Sequence, residues 1–242
     1  MEIPVKKSAD WLSELKYDGF VVLPNILQAA EVAELIGALD EAGPVASSVR
    51  QRGSDTYAIR NLLESFPAVR ALAGSPRIQT IIHSVLGPGA LPVRGLLFDK
   101  TPEANWKVAW HQDLSIAVQQ RVDVEGFGPW SVKAGMQHVQ PPAWVLERML
   151  TLRLHLDDCG ELNGPLQVLS GSHLAGRLNA EQIQAWRQQE AIACTVKVGG
   201  GLLMRPLLLH ASSAAQNPGH RRVIHLEFAA ASLPGGLEWL RS

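Results

Sequence analysis

The chain has few cysteines, few charges and no long apolar run. Its two cysteines, Cys159 and Cys194, cannot build a disulfide framework, and without CxxC spacing they make no zinc or redox motif. Both are expected as buried thiols. Charged residues make up only 19% of the chain, and 22 Lys and Arg are scattered among 23 Asp and Glu, which leaves no basic footprint for nucleic acid or anionic lipid. No stretch approaches the roughly 18 consecutive apolar residues of a membrane span. The opening residues Met1-Glu2-Ile3-Pro4-Val5-Lys6-Lys7 lead into mixed polar sequence, unlike the apolar core of a signal peptide. The expectation is a soluble cytoplasmic protein that binds a small-molecule substrate and neither nucleic acid nor membrane. What is plentiful is apolar: 46% hydrophobic residues over 242 positions suffice to bury a substantial core, which excludes intrinsic disorder.

Residues 1–89 read mainly as helix. Apolar positions recur at intervals of three and four in Val32, Leu35, Ile36 and Leu39, and again in Ile78, Ile81, Ile82, Val85 and Leu86, which Gly87-Pro88-Gly89 ends. One short strand is expected at Gly19–Pro24, closed by a proline that cannot continue a ladder. From residue 90 onward the texture changes to short runs of strand length, namely Leu91–Phe98, Lys107–His111, Thr151–Asp157, Leu166–Leu169, Ala193–Val198, Leu202–Met204 and Val223–Ala229. Without helices of crossover length between them, these runs predict antiparallel sheet closed as a sandwich or jelly roll, with helices on one outer face. The fold expected is therefore mainly β, a single domain over 1–242 with a helix-rich part to residue 89 and a jelly-roll core over 90–230. The segment 119–142 is too long for an ordinary connection and is expected to be a lid.

Three tripeptides have the form His-x-acid: His111-Gln112-Asp113, His155-Leu156-Asp157 and His225-Leu226-Glu227. In extended chain, residues i and i+2 share a face, so each can offer an imidazole and a carboxylate to one ion. With a third ligand from a distant strand they would form the two-histidine, one-carboxylate set that leaves coordination positions open on non-haem iron. His111 and Asp113 end a strand, and His210, 99 positions downstream, follows an apolar run. That separation leaves room for the remaining strands. His155 has too few strands before His210 to close a barrel, and His225 has no histidine after it, so both are expected to line a pocket or a polar strand face.

The ordered set Lys100-Thr101-Pro102, Trp110-His111-Gln112-Asp113, Asn163-Gly164-Pro165-Leu166-Gln167-Val168-Leu169-Ser170-Gly171-Ser172-His173, His210-Ala211-Ser212 and Arg221-Arg222 resembles the phytanoyl-CoA dioxygenase family. The resemblance spans roughly residues 18 to 230. It implies a double-stranded β-helix of the cupin-like kind and an oxygenase that uses Fe(II), 2-oxoglutarate and O2. By the same resemblance His111, Asp113 and His210 are the iron ligands, and Gln112 touches 2-oxoglutarate. Arg221, eleven residues past His210, grips the distal carboxylate of the co-substrate with help from Ser212. Spacing favours Arg221 over its neighbour Arg222, and a guanidinium suits a desolvated carboxylate because it stays charged and binds through two parallel bonds. Related halogenases replace the ligand carboxylate with a small residue, so Asp113 implies hydroxylation or desaturation.

Arg153 departs from the family pattern. Alternation in Thr151–Asp157 puts it on the polar face with His155 and Asp157, where it either binds an anionic group or pairs with Asp157 or Asp158. His155, Asn105, Trp130 and His138 are further candidates for substrate contact, although Asn105 equally closes a turn. Gly171-Ser172-His173 lacks the glycines of a nucleophile elbow, and Gly199-Gly200-Gly201 lacks the Lys-Ser/Thr of a phosphate loop. The alternatives left open are a cupin-like metalloenzyme that does not use 2-oxoglutarate and a non-catalytic small-molecule binding module on the same fold.

Overall fold

The structure is a computed structural model and describes residues 10–41, 49–52, 55–230 and 232–240. Helix α1 (Asp10–Tyr17) leads into strand β1 (Phe20–Leu23), which is followed by α2 (Ala29–Glu41), the pair β2 (Val49–Arg52) and β3 (Asp55–Ile59), and helices α3 (Leu62–Ser65), α4 (Pro67–Ala73) and α5 (Pro76–Leu86). Strands then dominate: β4 (Leu91–Lys100), β5 (Val108–His111), β6 (Ile116–Val118), β7 (Trp130–Lys133) and β8 (Met136–Val139) precede helix α6 (Ala143–Glu147). After it come β9 (Met149–His155), β10 (Leu166–Val168), helix α7 (Ala180–Trp186), β11 (Ile192–Cys194), β12 (Gly201–Met204), β13 (His210–Ser212) and β14 (Arg221–Ala229). No helix among the described residues is long and apolar enough to cross a membrane.

All strand pairs are antiparallel. A seven-stranded sheet has the order β1-β12-β9-β14-β4-β3-β2, and a four-stranded sheet the order β11-β10-β13-β5. The larger sheet is covered on both sides. Its outer face presents Leu150, Leu152 and Leu154 from β9 and Ile224, Leu226 and Phe228 from β14 to one core shared with α2, α4 and α5. Val32, Leu35 and Leu39 supply the buried stripe of α2, and Ile78 and Ile82 that of α5, at the intervals expected of amphipathic helices. Pro76 starts α5 at its first turn, where no N–H is needed, and Gly87 closes it with a φ of 85°. On the inner side, Leu202 and Met204 of the larger sheet pack against Leu166, Val168 and Cys194 of the smaller one. The two sheets therefore face each other.

Helices do pack on one face of the sheet and make up most of the described N-terminal part, where β1 is the strand expected at 19–24; β2 and β3 are strands not expected there, at the other edge of the seven-stranded sheet. The segment 119–142, expected as a lid, contributes β7 and β8, which join β6 in a three-stranded sheet of order β6-β8-β7, and its Phe127 and Val139 share a hydrophobic core with Val145, Leu146 and Met149. Ala134 and Gly135, with φ of 52° and 77°, make the two-residue turn between β7 and β8. Positive φ at both positions is what a tight hairpin requires. Cys159 and Cys194 are free and buried, as expected.

Leu152 is fully buried in the middle of β9. Leu152→Ala is expected to cost about 2–5 kcal/mol, from lost burial plus the cavity left behind, read as a lower midpoint of chemical denaturation.

Candidate metal centre

His111 ends β5, and its cross-strand partner is His210, the first residue of β13. The chain leaving β5 is anchored by the Asp113 N–H, which donates to the Pro206 carbonyl at 2.9 Å. Asp113 is thereby held against both imidazoles. Its Oδ1 lies 3.7 Å from His111 Nε2, and its Oδ2 lies 3.7 Å from His210 Nε2. One ligand atom from each of the three residues falls within 4.8 Å of the others. Both rings are locked in the same way: Nδ1 donates to the carbonyl two residues back, Ala109 for His111 and Leu208 for His210, each at 2.8 Å. This fixes the tautomer and leaves each Nε2 lone pair facing the gap beside Asp113.

Electrostatics suit a divalent cation. Burial pushes His210 down to about 4 against the pull of Asp113, so its imidazole is neutral near pH 7. Burial alone would raise Asp113, but His210, His225, His111 and Arg153 around it hold the carboxyl at about 2. Two lone pairs and one full negative charge converge, the donor set of a non-haem iron site.

These residues open on a cavity of about 310 Å3 between the two sheets. Arg221, buried, and Ser212 line one end of it. The Arg221 guanidinium donates to the Gly164 carbonyl through Nη1, while its buried Nε has no partner. Lys100, on the strand position facing Arg221, is fully buried behind Ser212 and donates to Ser212 Oγ at 3.2 Å and to the Ser213 carbonyl. Burial, reinforced by Arg221, pushes the Lys100 ammonium down to about 7. Among the described residues no carboxylate accepts a hydrogen bond from the Arg221 guanidinium or the Lys100 ammonium; Asp99 takes only the Arg221 backbone N–H, at 3.0 Å. Arg222 has the opposite fate: on the other face of β14, it chelates Asp157 through Nε at 2.9 Å and Nη2 at 2.8 Å.

Asp157 is thus committed to Arg222, and Asp158 pairs with Lys197 at 3.0 Å. Arg153 pairs with neither. It lines the cavity, where Nη1 donates to His225 Nδ1 at 2.9 Å and the guanidinium lies 5.8 Å from the Phe98 ring centre. His225 and Glu227 line the cavity too, as their alternation predicts.

Several expected contacts need correction. Gln112 points away from the cavity, because alternation at the end of β5 sends it opposite His111 and Asp113. Its amide donates to the Gly176 and Leu207 carbonyls at 2.8 and 2.6 Å and accepts the Leu178 N–H at 2.8 Å, which uses both amide protons. It holds the backbone around the site and has no donor left for a co-substrate. His155 is buried outside the cavity lining, at the end of β9, where its backbone bonds Gly199 and Gly200. Asn105 clamps the Ala215 backbone from both sides, at 2.8 and 2.7 Å, so its turn-closing role is the one observed. Trp130 packs against the third core, with Arg121 over its ring at 5.4 Å. His138 is fully buried, its Nδ1 donating to the Met136 carbonyl at 3.1 Å. Lys100, Arg94, Lys133 and Trp106 were not singled out for the site from sequence. Period-two spacing from Arg94 through Leu96 and Phe98 to Lys100 was the signal for two of them, and Lys133 depends on the hairpin that brings it in.

A profile of the Phytanoyl-CoA dioxygenase (PhyH) family matches residues 15–223, a span that holds the whole His111, Asp113 and His210 cluster and Arg221. The chain belongs to the phytanoyl-CoA dioxygenase family. Two curated relatives, the ectoine dioxygenases of Bordetella parapertussis and Bordetella bronchiseptica, are each 25% identical over 173 residues, which cover 69% of this chain and 49% of theirs. This family member thus spans about half the length of the curated relatives it matches. EctD from S. alaskensis, solved with 2-oxoglutarate and 5-hydroxyectoine, superposes with a TM-score of 0.71 at 21% identity, covering 95% of this chain and 79% of that one. The epimerase SnoN, solved with Fe3+, alpha ketoglutarate and nogalamycin RO, gives 0.69 at 19% identity over 97% and 93%. Likeness at these identities shows a shared fold.

His138 and His155 generate a stability prediction. Burial, with Arg94 beside it, lowers His138 to about 4; burial, with Arg153 and Arg221, lowers His155 to about 3. The unfolded chain therefore binds protons below about pH 6.5 that the folded protein refuses. Stability is full above that pH and falls as the pH drops toward 4, by up to ~1.4 kcal/mol per pH unit for each histidine. Urea unfolding of the wild type at pH 7 and pH 5 is expected to show this loss, and a His138→Leu/His155→Leu variant a smaller one. An equal slope in the variant would assign the acid sensitivity elsewhere.

Proposed function

We propose that the protein is an Fe(II)/2-oxoglutarate-dependent dioxygenase that hydroxylates a C–H bond of a small-molecule metabolite. The two facing sheets are read as the halves of one double-stranded β-helix, with the metal between them. The observation that carries the reading is the pairing of the His111, Asp113 and His210 cluster with a buried Arg221 that lacks an anionic partner. The chemistry of the donor set fits ferrous iron, and the unpartnered Nε of Arg221 beside the Lys100 ammonium fits a carboxylate.

His111 Nε2, an Asp113 oxygen and His210 Nε2 would hold the metal on one side, leaving the cavity side for co-substrate and dioxygen. When bound, iron(II) with 2-oxoglutarate and dioxygen supplies oxidative decarboxylation, giving succinate and carbon dioxide as one oxygen atom enters the substrate C–H bond. Arg221 would receive the distal carboxylate. Lys100 adds positive charge there and orients Ser212, whose hydroxyl oxygen accepts the Lys100 hydrogen bond and can turn its own O–H to the co-substrate. Arg153 and Phe98 form the wall between that end and His225. The retained carboxylate of Asp113 occupies the position a halide would need, which supports oxygen insertion. A cavity of about 310 Å3 that also houses the co-substrate suits a small metabolite.

The test is the anaerobic visible spectrum of the protein after iron(II) and then 2-oxoglutarate. A weak charge-transfer band is expected in the wild type and is expected to be lost in His210→Ala. In Arg221→Ala, removal of a charged pair should weaken 2-oxoglutarate binding by about 10- to 100-fold. A protein that binds metal but forms no band would sink the 2-oxoglutarate reading and bring forward a metalloenzyme that does without it.

A further inference from the structure

The cavity has a second charged end, away from Arg221. Arg94 of β4 and Glu227 of β14 face each other across the sheet and pair at 3.0 Å, with side chains only 11% and 8% exposed. Glu227 also lies 3.4 Å from His225 Nε2, and His225 Nδ1 accepts from Arg153. Since Nδ1 accepts, Nε2 carries the proton and donates to Glu227. One carboxylate therefore already serves two donors. Lys133, brought in by the β7–β8 turn, lines the same end. Its ammonium is pushed down by burial and by Arg94 and Arg60, with Glu227 and Asp113 opposing. No carboxylate lies within ion-pair distance of Lys133 among the described residues. The buried Nε of Arg94 also has no partner.

A cation lining a pocket without a counter-charge is costly until an anion arrives. The proposed co-substrate cannot be that anion at both ends. Arg94 and Lys100 are six residues apart on one strand, on the order of 20 Å. Between them the wall is apolar, with Ile59, Leu96 and Phe98.

We propose that the substrate is an organic anion, a carboxylate or phosphate monoester on an apolar body, whose charged group is received by Lys133 and Arg94. The inference rests on the dioxygenase reading of the metal end and names the substrate class for it. Glu227 then has a specific part: it holds Arg94 in place and, through His225, fixes Arg153, so the two ends of the cavity are kept apart by one hydrogen-bonded row.

The test is anaerobic calorimetric titration of the iron(II) protein, saturated with 2-oxoglutarate so that the Arg221 end is filled. The probes are straight-chain and aromatic carboxylates of four to eight carbons, each with its neutral carboxamide, and the corresponding phosphate monoesters with their alcohols. At least one anion is expected to bind about tenfold or more tightly than its neutral counterpart. Lys133→Gln, at a half-buried position on the hairpin, is expected to remove that preference while 2-oxoglutarate affinity stays within about twofold. Arg94→Gln is made together with Glu227→Gln, so that no buried carboxylate is left unpaired. No anion preference across the panel, or one that survives both variants, overturns the proposal. Should 2-oxoglutarate fail to bind at the outset, the dioxygenase reading fails by itself, and the same panel titrated without it still decides whether this end takes anions.

Discussion

Strands β9 and β14 bury both of their faces, and parity along them decides whether a residue joins the hydrocarbon core or the cavity. Even-numbered Leu150, Leu152, Leu154, Ile224, Leu226 and Phe228 go outward under the helices, while Arg153, Arg221, His225 and Glu227 go inward. Neither group tolerates the other's place, since an arginine under the helices would be buried without a partner and a leucine in the cavity would leave the charged row broken. Register is therefore strongly specified. Everything that opens on the cavity inherits its position from this pair, directly or through β4 on one side and the facing smaller sheet on the other.

The metal residues depend on a second device. His111 and His210 sit opposite each other on paired strands, and each ring is locked by the carbonyl two residues back in its own chain. Gln112 contributes by pointing the other way, where its three hydrogen bonds draw the 176–178 segment and Leu207 together beside the site. Local backbone hydrogen bonds thus aim the imidazoles without help from any carboxylate outside the cluster. Asp113 is left free to carry the negative charge.

Much of this was legible in the chain. Strand lengths and breakers marked β1, β4, β5, β9, β12 and β14 to within a few residues, because alternation and glycine or proline punctuation are local properties. The same alternation separated Arg221 from Arg222 onto different faces, although it did not by itself say which face was the cavity. The N-terminal hairpin β2–β3 and the β7–β8 hairpin were harder to see. Their strands are only four or five residues long, and the residues joining each pair include no proline and no Asn-Gly or Asp-Gly signal, so little in the local sequence marks them. Within the small β6-β8-β7 sheet Trp130 faces the hydrophobic core, while His138 lies on the opposite face, the one that carries Lys133, with its Nδ1 on the Met136 carbonyl.

The order of polar and apolar residues thus decided which strands form, which faces they show and which histidines and carboxylate are available as ligands. Those are consequences of a two-residue repeat and of side-chain chemistry. Only the tertiary structure decided which cations share the cavity, that Asp157 claims Arg222 and leaves Arg221 without a counter-ion, and that Lys133 reaches a pocket built by strands far from it in sequence. Charge pairing is a competition among all groups within a few ångströms, and a linear chain does not say which groups those are.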